Sequence, residues 1–277
     1  MSARSHQPRW HTALRHWVLA CLCLLLACAA QASAPAADRI QLRDDVPTQT
    51  VWSAVRILPD PERALTVQDV LARAQDFAVP LRDTGTLGVR RDAVWVRVPL
   101  TVTPTSDGIW VLDIDYPVLQ RLDVYLTADG RVLRQASLGS LQPFTQRPLR
   151  SRSHALPFLM KPGQNYELLL RVETSGAMVL PITLQKPPAW HSAALNEQLL
   201  QGSLIGLALC LLLYSLGQWF NLREVLFLQY ALLITGSTLF SLHLFGLGTQ
   251  YLWTDNAWFE LHVAGLAALM ATCGSFL

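Results

Sequence analysis

Residues 94–102 read VWVRVPLTV, with an apolar side chain at every even position. This period of two predicts a strand that buries one face. Shorter runs of the same kind recur between residues 52 and 185, separated by turn residues such as Asp129-Gly130 and Pro162-Gly163. Many short strands joined by such turns favour two packed antiparallel sheets, so we expect a mainly β sandwich.

One short helix is predicted within this β-rich stretch. Thr66 would cap it, because Asp69 follows three residues later and apolar residues come next at positions 70, 71 and 74. We interpret the apolar residues of the whole stretch as core packing, and we expect no cofactor.

The last third of the chain is predicted to lie in lipid. Residues 199–220 and 225–247 contain no Asp, Glu, Lys or Arg, and each run is longer than the roughly 20 residues a helix needs to cross a bilayer. We predict two transmembrane helices there, joined by a tight turn. A third apolar run, residues 263–277, is too short to cross, so residues 199–277 are expected to begin a larger membrane domain of a longer protein.

The first 32 residues have the features of an export signal. Three arginines precede an apolar run over residues 17–30, and Ala30-Gln31-Ala32 offers a cleavage site. We predict a signal peptide over 1–32, a linker over 33–49 and an exported domain over 50–186. Lipidation of Cys28 is an alternative.

The charge pattern and the motifs argue against several function classes. The 22 basic and 20 acidic residues form no dense basic cluster, so nucleic acid is not an expected partner. The sequence lacks HExxH, GxSxG and P-loop motifs and the Cys/His spacing of a metal site. Asp113 and Asp115 share one side of a strand, but solvated acids are the simpler interpretation. We expect no enzyme activity in these residues.

Several stretches resemble a known family. They are residues 65–71 (LTVQDVL), 88–97 (GVRRDAVWVR), 122–126 (LDVYL), 146–152 (QRPLRSR), 162–172, 211–223 and 246–253. In order and content they resemble the 7TMR-DISM family, the bacterial seven-transmembrane receptors with diverse intracellular signalling modules, with an extracellular domain of type 2.

This resemblance implies a periplasmic jelly roll of the type likened to carbohydrate-binding modules, followed by seven helices in the bacterial inner membrane. The expected function is sensory: the jelly roll binds a small molecule or carbohydrate, and the helices relay occupancy to a cytoplasmic diguanylate cyclase or histidine kinase absent from this chain. The expected partners are the bilayer and that ligand. A homodimer through the small residues Gly202 and Gly206 is an alternative to ordinary helix packing. A membrane-anchored glycan-binding or adhesion module without signalling is the alternative.

Two groups of residues are candidates for binding the ligand, since sugar sites combine aromatic faces with directional polar groups. The aromatic platforms are Trp110, Tyr116, Tyr125 and Phe144, and the local basic group is Arg147, Arg150, Arg152 and His154. For both groups, core packing or loop solvation is the alternative interpretation.

A signal-relay joint is predicted over residues 187–198. Pro187-Pro188 would stiffen the exit from the last strand, and Trp190 would lie at the membrane surface. A simple spacer is the alternative. His243, inside the second span and without an acidic partner in either complete span, is interpreted as a hydrogen bonder between helices. Glu260 is placed in the outward connection.

Overall fold

The computed structural model describes residues 39–81 and 85–276. The predicted signal peptide lies outside these residues, as does the first part of the predicted linker. The described strands are β1 (Ile40–Leu42), β2 (Thr48–Thr50), β3 (Arg56–Asp60), β4 (Thr86–Val89), β5 (Ala93–Val102), β6 (Ile109–Ile114), β7 (Arg121–Ala128), β8 (Arg131–Leu138), β9 (His154–Leu159), β10 (Asn165–Glu173), β11 (Ala177–Val179) and β12 (Ile182–Gln185).

The described strands form two facing sheets and a short ribbon. In the larger sheet the order is β1-β5-β10-β7-β8, and β3 pairs with the part of β5 that β1 leaves free. The smaller sheet has the order β2-β12-β6-β9, and β4 pairs with β11. β8 and β9 are therefore the edge strands on one side of the sandwich.

The core lies between the sheets and follows the predicted alternation. Val94, Val96 and Val98 of β5 are fully buried, and so are Trp110 and Leu112 of β6 on the opposite sheet. Residues 94–102 therefore form most of β5, an interior strand of the larger sheet. The predicted class, a mainly β sandwich followed by apolar helices, is confirmed.

The predicted short helix is also confirmed and covers the outer face of the larger sheet. Helix α1 (Val67–Ala72) begins after Thr66, whose hydroxyl accepts from the Asp69 backbone NH while the Asp69 carboxylate accepts from the Thr66 NH at 2.9 Å. It packs Val70 over Trp95 and Tyr125, two outward-facing strand residues. This cover explains why both outward-facing rings are buried.

The predicted linker differs from the structure. Residues 40–42 and 48–50 are strands that add to the edges of the two sheets, with Leu42 fully buried. A period of two over only three residues is too short to stand out in a sequence. The β-sandwich therefore begins at residue 40.

The apolar segments form helices α2 (Pro187–Leu222), α3 (Val225–Leu244), α4 (Leu247–Tyr251) and α5 (Ala257–Phe276). Of these, α2, α3 and α5 are long and apolar enough to cross a membrane. The tight turn after α2 is confirmed, because Arg223 takes a left-handed conformation and α3 begins two residues later. α2 begins 12 residues earlier than predicted, and α5 begins six residues earlier.

Gly108 offers a test of the close contact between β6 and the end of β9. A Cβ there would lie 1.9 Å from the Met160 carbonyl oxygen at φ +75°, whereas Gly163 has the same φ with its nearest neighbour at 4.0 Å. Gly163→Ala should cost about 1–2 kcal/mol for its backbone alone. Gly108→Ala should lower the melting temperature of the detergent-solubilised chain clearly more, at about 2–4 °C per kcal/mol. Equal losses would contradict the packing described.

Candidate functional site

The last strand passes into the first membrane helix through a single residue. β12 ends at Gln185 and α2 begins at Pro187. The Nζ atom of Lys186, between them, lies 2.5 Å from carboxylate oxygens of both Asp44 and Asp107 and 4.6 Å from the centre of the Trp110 ring. We call these contacts the Lys186 clamp. They fix the position at which β12 ends and α2 begins.

The clamp also perturbs an acid. Burial alone would raise the pKa of Asp44, but hydrogen bonds from Lys186 and Ser106 outweigh it and lower the pKa to about 2. Asp44 lies in the predicted linker, so this part of the chain holds the helix entry in place.

The first turns of α2 lie against the outer face of the smaller sheet. Trp190 is buried on Val111 and Ala155, which point away from the core. Its Nε1 donates to Asp113 Oδ1 at 3.3 Å, and Ser153 Oγ donates to the same oxygen at 2.5 Å. Burial raises the pKa of Asp113, which the two hydrogen bonds only partly offset. The predicted joint is thus a helix packed on the sheet.

Two more contacts tie the helices to the loops at the membrane end of the sandwich. Arg152, with its side chain 9% exposed, places guanidinium nitrogens 2.8 Å from Asp115 and 2.8 Å from Glu197 of α2. Asp255, between α4 and α5, accepts from the Thr145 NH at 3.1 Å and from the Thr145 hydroxyl at 2.7 Å. These hydrogen bonds lower the pKa of Asp255.

The turn between α3 and α4 also touches the sandwich. Gly246 has φ +72°, and a Cβ on it would lie 2.6 Å from the Pro117 side chain and 3.0 Å from the Arg152 carbonyl oxygen. Only glycine fits so close an approach. Together with Arg152–Glu197 and Asp255–Thr145, this contact forms what we call the junction.

A polar cluster lies where α3 and α5 meet the junction. Glu260 is 3% exposed and accepts from Trp253 Nε1 at 2.7 Å and from the Thr249 hydroxyl at 2.9 Å. His243 Nδ1 lies 3.1 Å from its other oxygen. His243 therefore has an acidic partner in α5, outside the two spans in which the sequence shows none. The cluster opens onto a cavity of about 280 Å³ that Tyr116 also lines.

The predicted basic group does not form one exposed patch. Arg147 is buried, covers the Phe144 ring at 4.9 Å and donates to the carbonyl oxygens of Ser151 and Gly139. Burial lowers its pKa to about 10. His154 is fully buried, and burial together with the charge of Arg147 lowers its pKa to about 3. Arg152 belongs to the junction, and Arg150 is exposed.

The predicted aromatic platforms are mostly covered. Trp110 is fully buried in the core, and Tyr125 stacks on Trp95 at 5.7 Å beneath α1. Phe144 is buried under Arg147, and Tyr116 is half-buried beside the cavity at the junction. Their roles in ligand binding stay predictions, and the geometry offers a sugar no open face on Trp110, Tyr125 or Phe144.

A second cavity lies at the opposite end of the sandwich. This cleft of about 730 Å³ opens between the edge strands β8 and β9, with Phe158, Leu126 and Tyr166 buried in its wall. Its size falls within the range of roughly 300–1,000 Å³ typical of small-molecule sites. It contains none of the predicted ligand residues.

Two parts of the chain match known family descriptions. Residues 53–186 match 7TMR-DISM extracellular 2, and residues 197–277 match 7TM diverse intracellular signalling. The chain belongs to the 7TMR-DISM family. The predicted family is confirmed, and this 7TMR-DISM protein is an inner-membrane receptor with a periplasmic sensory domain and transmembrane helices.

Solved structures similar to this 7TMR-DISM chain are distant. Ruminococcus gnavus β-glucuronidase in complex with uronic isofagomine has 10% identity and a TM-score of 0.29, and the match covers 48% of this chain and 27% of that one. A family 35 carbohydrate binding module from Clostridium thermocellum has 12% identity and a TM-score of 0.24, covering 50% and 95%. No curated protein matches the sequence. These likenesses do not identify a ligand.

Sequence reasoning missed Glu260 as a partner of His243 because α5 was expected to begin at Val263. One signal was available: Asn256 is a good N-cap, and its side chain accepts from the Phe259 NH at 3.0 Å. An acid in the first turn after such a cap belongs to the helix. The cleft between β8 and β9 had no comparable signal, since it depends on which edges meet.

The buried carboxyl beneath Trp190 predicts a pH dependence. Because the native pKa of Asp113 is raised above 3.8, its contribution to stability is full below pH 3.8 and falls as the pH rises through the native pKa. Asp113→Asn should therefore match or exceed the parent's melting temperature near pH 7, and its advantage should shrink toward pH 4. Asp129→Asn, at an exposed turn, is the control. An advantage that grows on acidification would contradict the burial of this charge.

The Lys186 clamp predicts the opposite trend. Asp44 has a lowered pKa, so its contribution is present above pH 3.8 and lost as the pH falls toward 2. Lys186→Met should lower the melting temperature near pH 7 by a few degrees, and the difference should close in acid. Lys161→Met removes an exposed lysine with no ion pair among the described residues and should change little. A constant deficit from pH 7 to pH 2 would argue against the clamp.

Proposed function

We propose that this receptor binds a small molecule or carbohydrate on its periplasmic sandwich and that α2 carries the change into the membrane. The observation that carries the proposal is the continuity of α2, which starts on the smaller sheet and runs through the bilayer as one helix. Its 36 residues span about 54 Å at 1.5 Å per residue, well beyond a membrane core of about 30 Å.

A movement of the sheet would be transmitted along this helix, because the first turns of α2 are packed on the sheet and cannot move independently of it. Trp190 and the Lys186 clamp hold it along β6, and Arg152 holds Glu197 two turns further on. The junction holds the α3–α4 turn and the start of α5 at the same end of the sandwich. A ligand that favours one arrangement of the two sheets would therefore shift all three helices.

The output would be a cytoplasmic module such as a diguanylate cyclase or a histidine kinase, as the family resemblance implies. A signalling receptor and a glycan-binding anchor differ in one respect: only the receptor needs binding to alter its helices.

The relay is tested in the full-length receptor reconstituted in lipid nanodiscs. A panel of sugars, sugar acids and small carboxylates is screened by thermal shift, and hydrogen exchange of α2 and α5 is then measured with each binder. The relay predicts changed exchange in both helices. Replacing Pro187-Pro188 by Gly-Ser should leave binding within about twofold and reduce the change in α2. Binding without any change in the unmodified receptor would support the anchor.

A further inference from the structure

The charges around the cleft between β8 and β9 differ from those on the rest of the sandwich. Arg131, Arg134 and Lys161 lie around it and are exposed, and none of them has a carboxylate within 4.0 Å among the described residues. Asp129 is the one acid in its lining. The cleft therefore carries an excess of two positive charges.

Elsewhere in the described sandwich, cations are commonly paired with acids. Cations within 4.0 Å of a carboxylate include Arg43, Arg63, Arg90, Arg97, Arg121, Arg152, Arg171 and Lys186. Other exposed arginines, such as Arg73 and Arg91, do not line this cleft. Three cations without a carboxylate partner among the described residues therefore converge on this one opening.

The recess also has the shape and chemistry of a binding site. Phe158 and Leu126 supply an apolar wall, and Arg134 bridges the two edge strands by lying over the Phe158 ring at 5.9 Å and donating to the Pro157 carbonyl oxygen. Among the described strands, β8 pairs only with β7 and β9 only with β6, so the outer edge of each has backbone groups that no other described strand uses. Free edge groups can bind hydroxyls, and a guanidinium pairs well with a carboxylate or phosphate.

The position of the cleft argues for a soluble ligand rather than a lipid headgroup. β6 runs from Ile109, opposite Leu159 of the cleft, to Ile114, next to the junction. Five residue steps at about 3.4 Å each place the cleft about 17 Å from the junction, at the end of β6 where Lys186 contacts Asp107 and the Ile109 carbonyl oxygen. This exceeds a Debye length of about 8 Å at physiological salt, so the membrane surface charge is largely screened there.

We propose that this cleft is the ligand site and that its ligand is anionic, a sugar acid or short acidic oligosaccharide whose carboxylates pair with Arg131, Arg134 and Lys161. The proposal rests on the proposed function for its place in signalling, but not for binding itself. The volume of about 730 Å³ suits two or three sugar units. The predicted basic group at residues 147–154 is not needed for it.

The test is calorimetric titration of the receptor in phosphatidylcholine nanodiscs. The probes are trigalacturonate and its neutral counterpart galactotriose, with a sugar phosphate and phosphatidylglycerol vesicles as further arms. We expect trigalacturonate to bind at least tenfold more tightly than galactotriose, with an affinity that falls as salt rises. Arg131→Glu and Lys161→Glu should each weaken it at least tenfold. Arg134→Gln, which keeps a donor for Pro157, should weaken it less. Arg91→Glu, an exposed arginine away from the cleft, should leave it unchanged.

Equal binding of galactotriose, or binding that the three cleft variants do not change, would overturn the anionic site. So would an absence of binding by both acidic probes, or capture of the vesicles in preference to the sugars. These results would not contradict the proposed relay through the helices, because hydrogen exchange of α2 and α5 is measured separately. Conversely, tight binding of trigalacturonate without any change in α2 would keep this site and refute the proposed function.

Discussion

The structure depends on one constraint: the chain leaves a water-exposed sheet and enters a membrane helix with a single residue between them. Lys186 occupies that position, and its ammonium group is shared by Asp44 and Asp107 over the face of Trp110. Because a single residue connects β12 to α2, the sheet sets the orientation of α2. The packing of Trp190 on Val111 and Ala155 extends the same constraint along the helix.

The polar groups at the junction follow from this arrangement. Arg152, Asp113 and Asp255 sit where the sandwich approaches the bilayer, and there each is satisfied by a specific partner. Asp113 and Arg152 are buried, so removing a partner of either would leave a buried polar group unpaired, which costs more than the loss of an exposed contact such as Asp255–Thr145. The pairing of His243 with Glu260 brings the same kind of contact to the start of the membrane region.

Periodicity and caps predicted most of the fold. The alternation in β5, the capping box at Thr66 and the uncharged runs of the helices are local patterns, and each appears in the structure. The short strands β1 and β2 were missed because three residues give too little periodicity. The helix boundaries were misplaced because α2 continues beyond the lipid, where its residues need not be apolar.

The sites were harder to predict. The basic residues between 147 and 154 are close in sequence but differ in environment. Arg147 and His154 are buried in the sandwich, whereas Arg152 contacts Glu197 of α2. Aromatic residues such as Trp110 followed the inward parity of their strand, which favours the core over a ligand. The cleft joins residues of β8, β9 and the β7–β8 turn, so only the pairing of the sheets brings its cations together.

The central claim is that the sandwich and α2 move as one body. Spin labels at Val89→Cys on the sandwich and Leu213→Cys on α2, with the native cysteines replaced, give their separation by double electron–electron resonance in nanodiscs. A single narrow distance distribution is expected, which broadens when Gly-Ser replaces Pro187-Pro188. A broad distribution in the parent chain, unchanged by that replacement, would contradict the account.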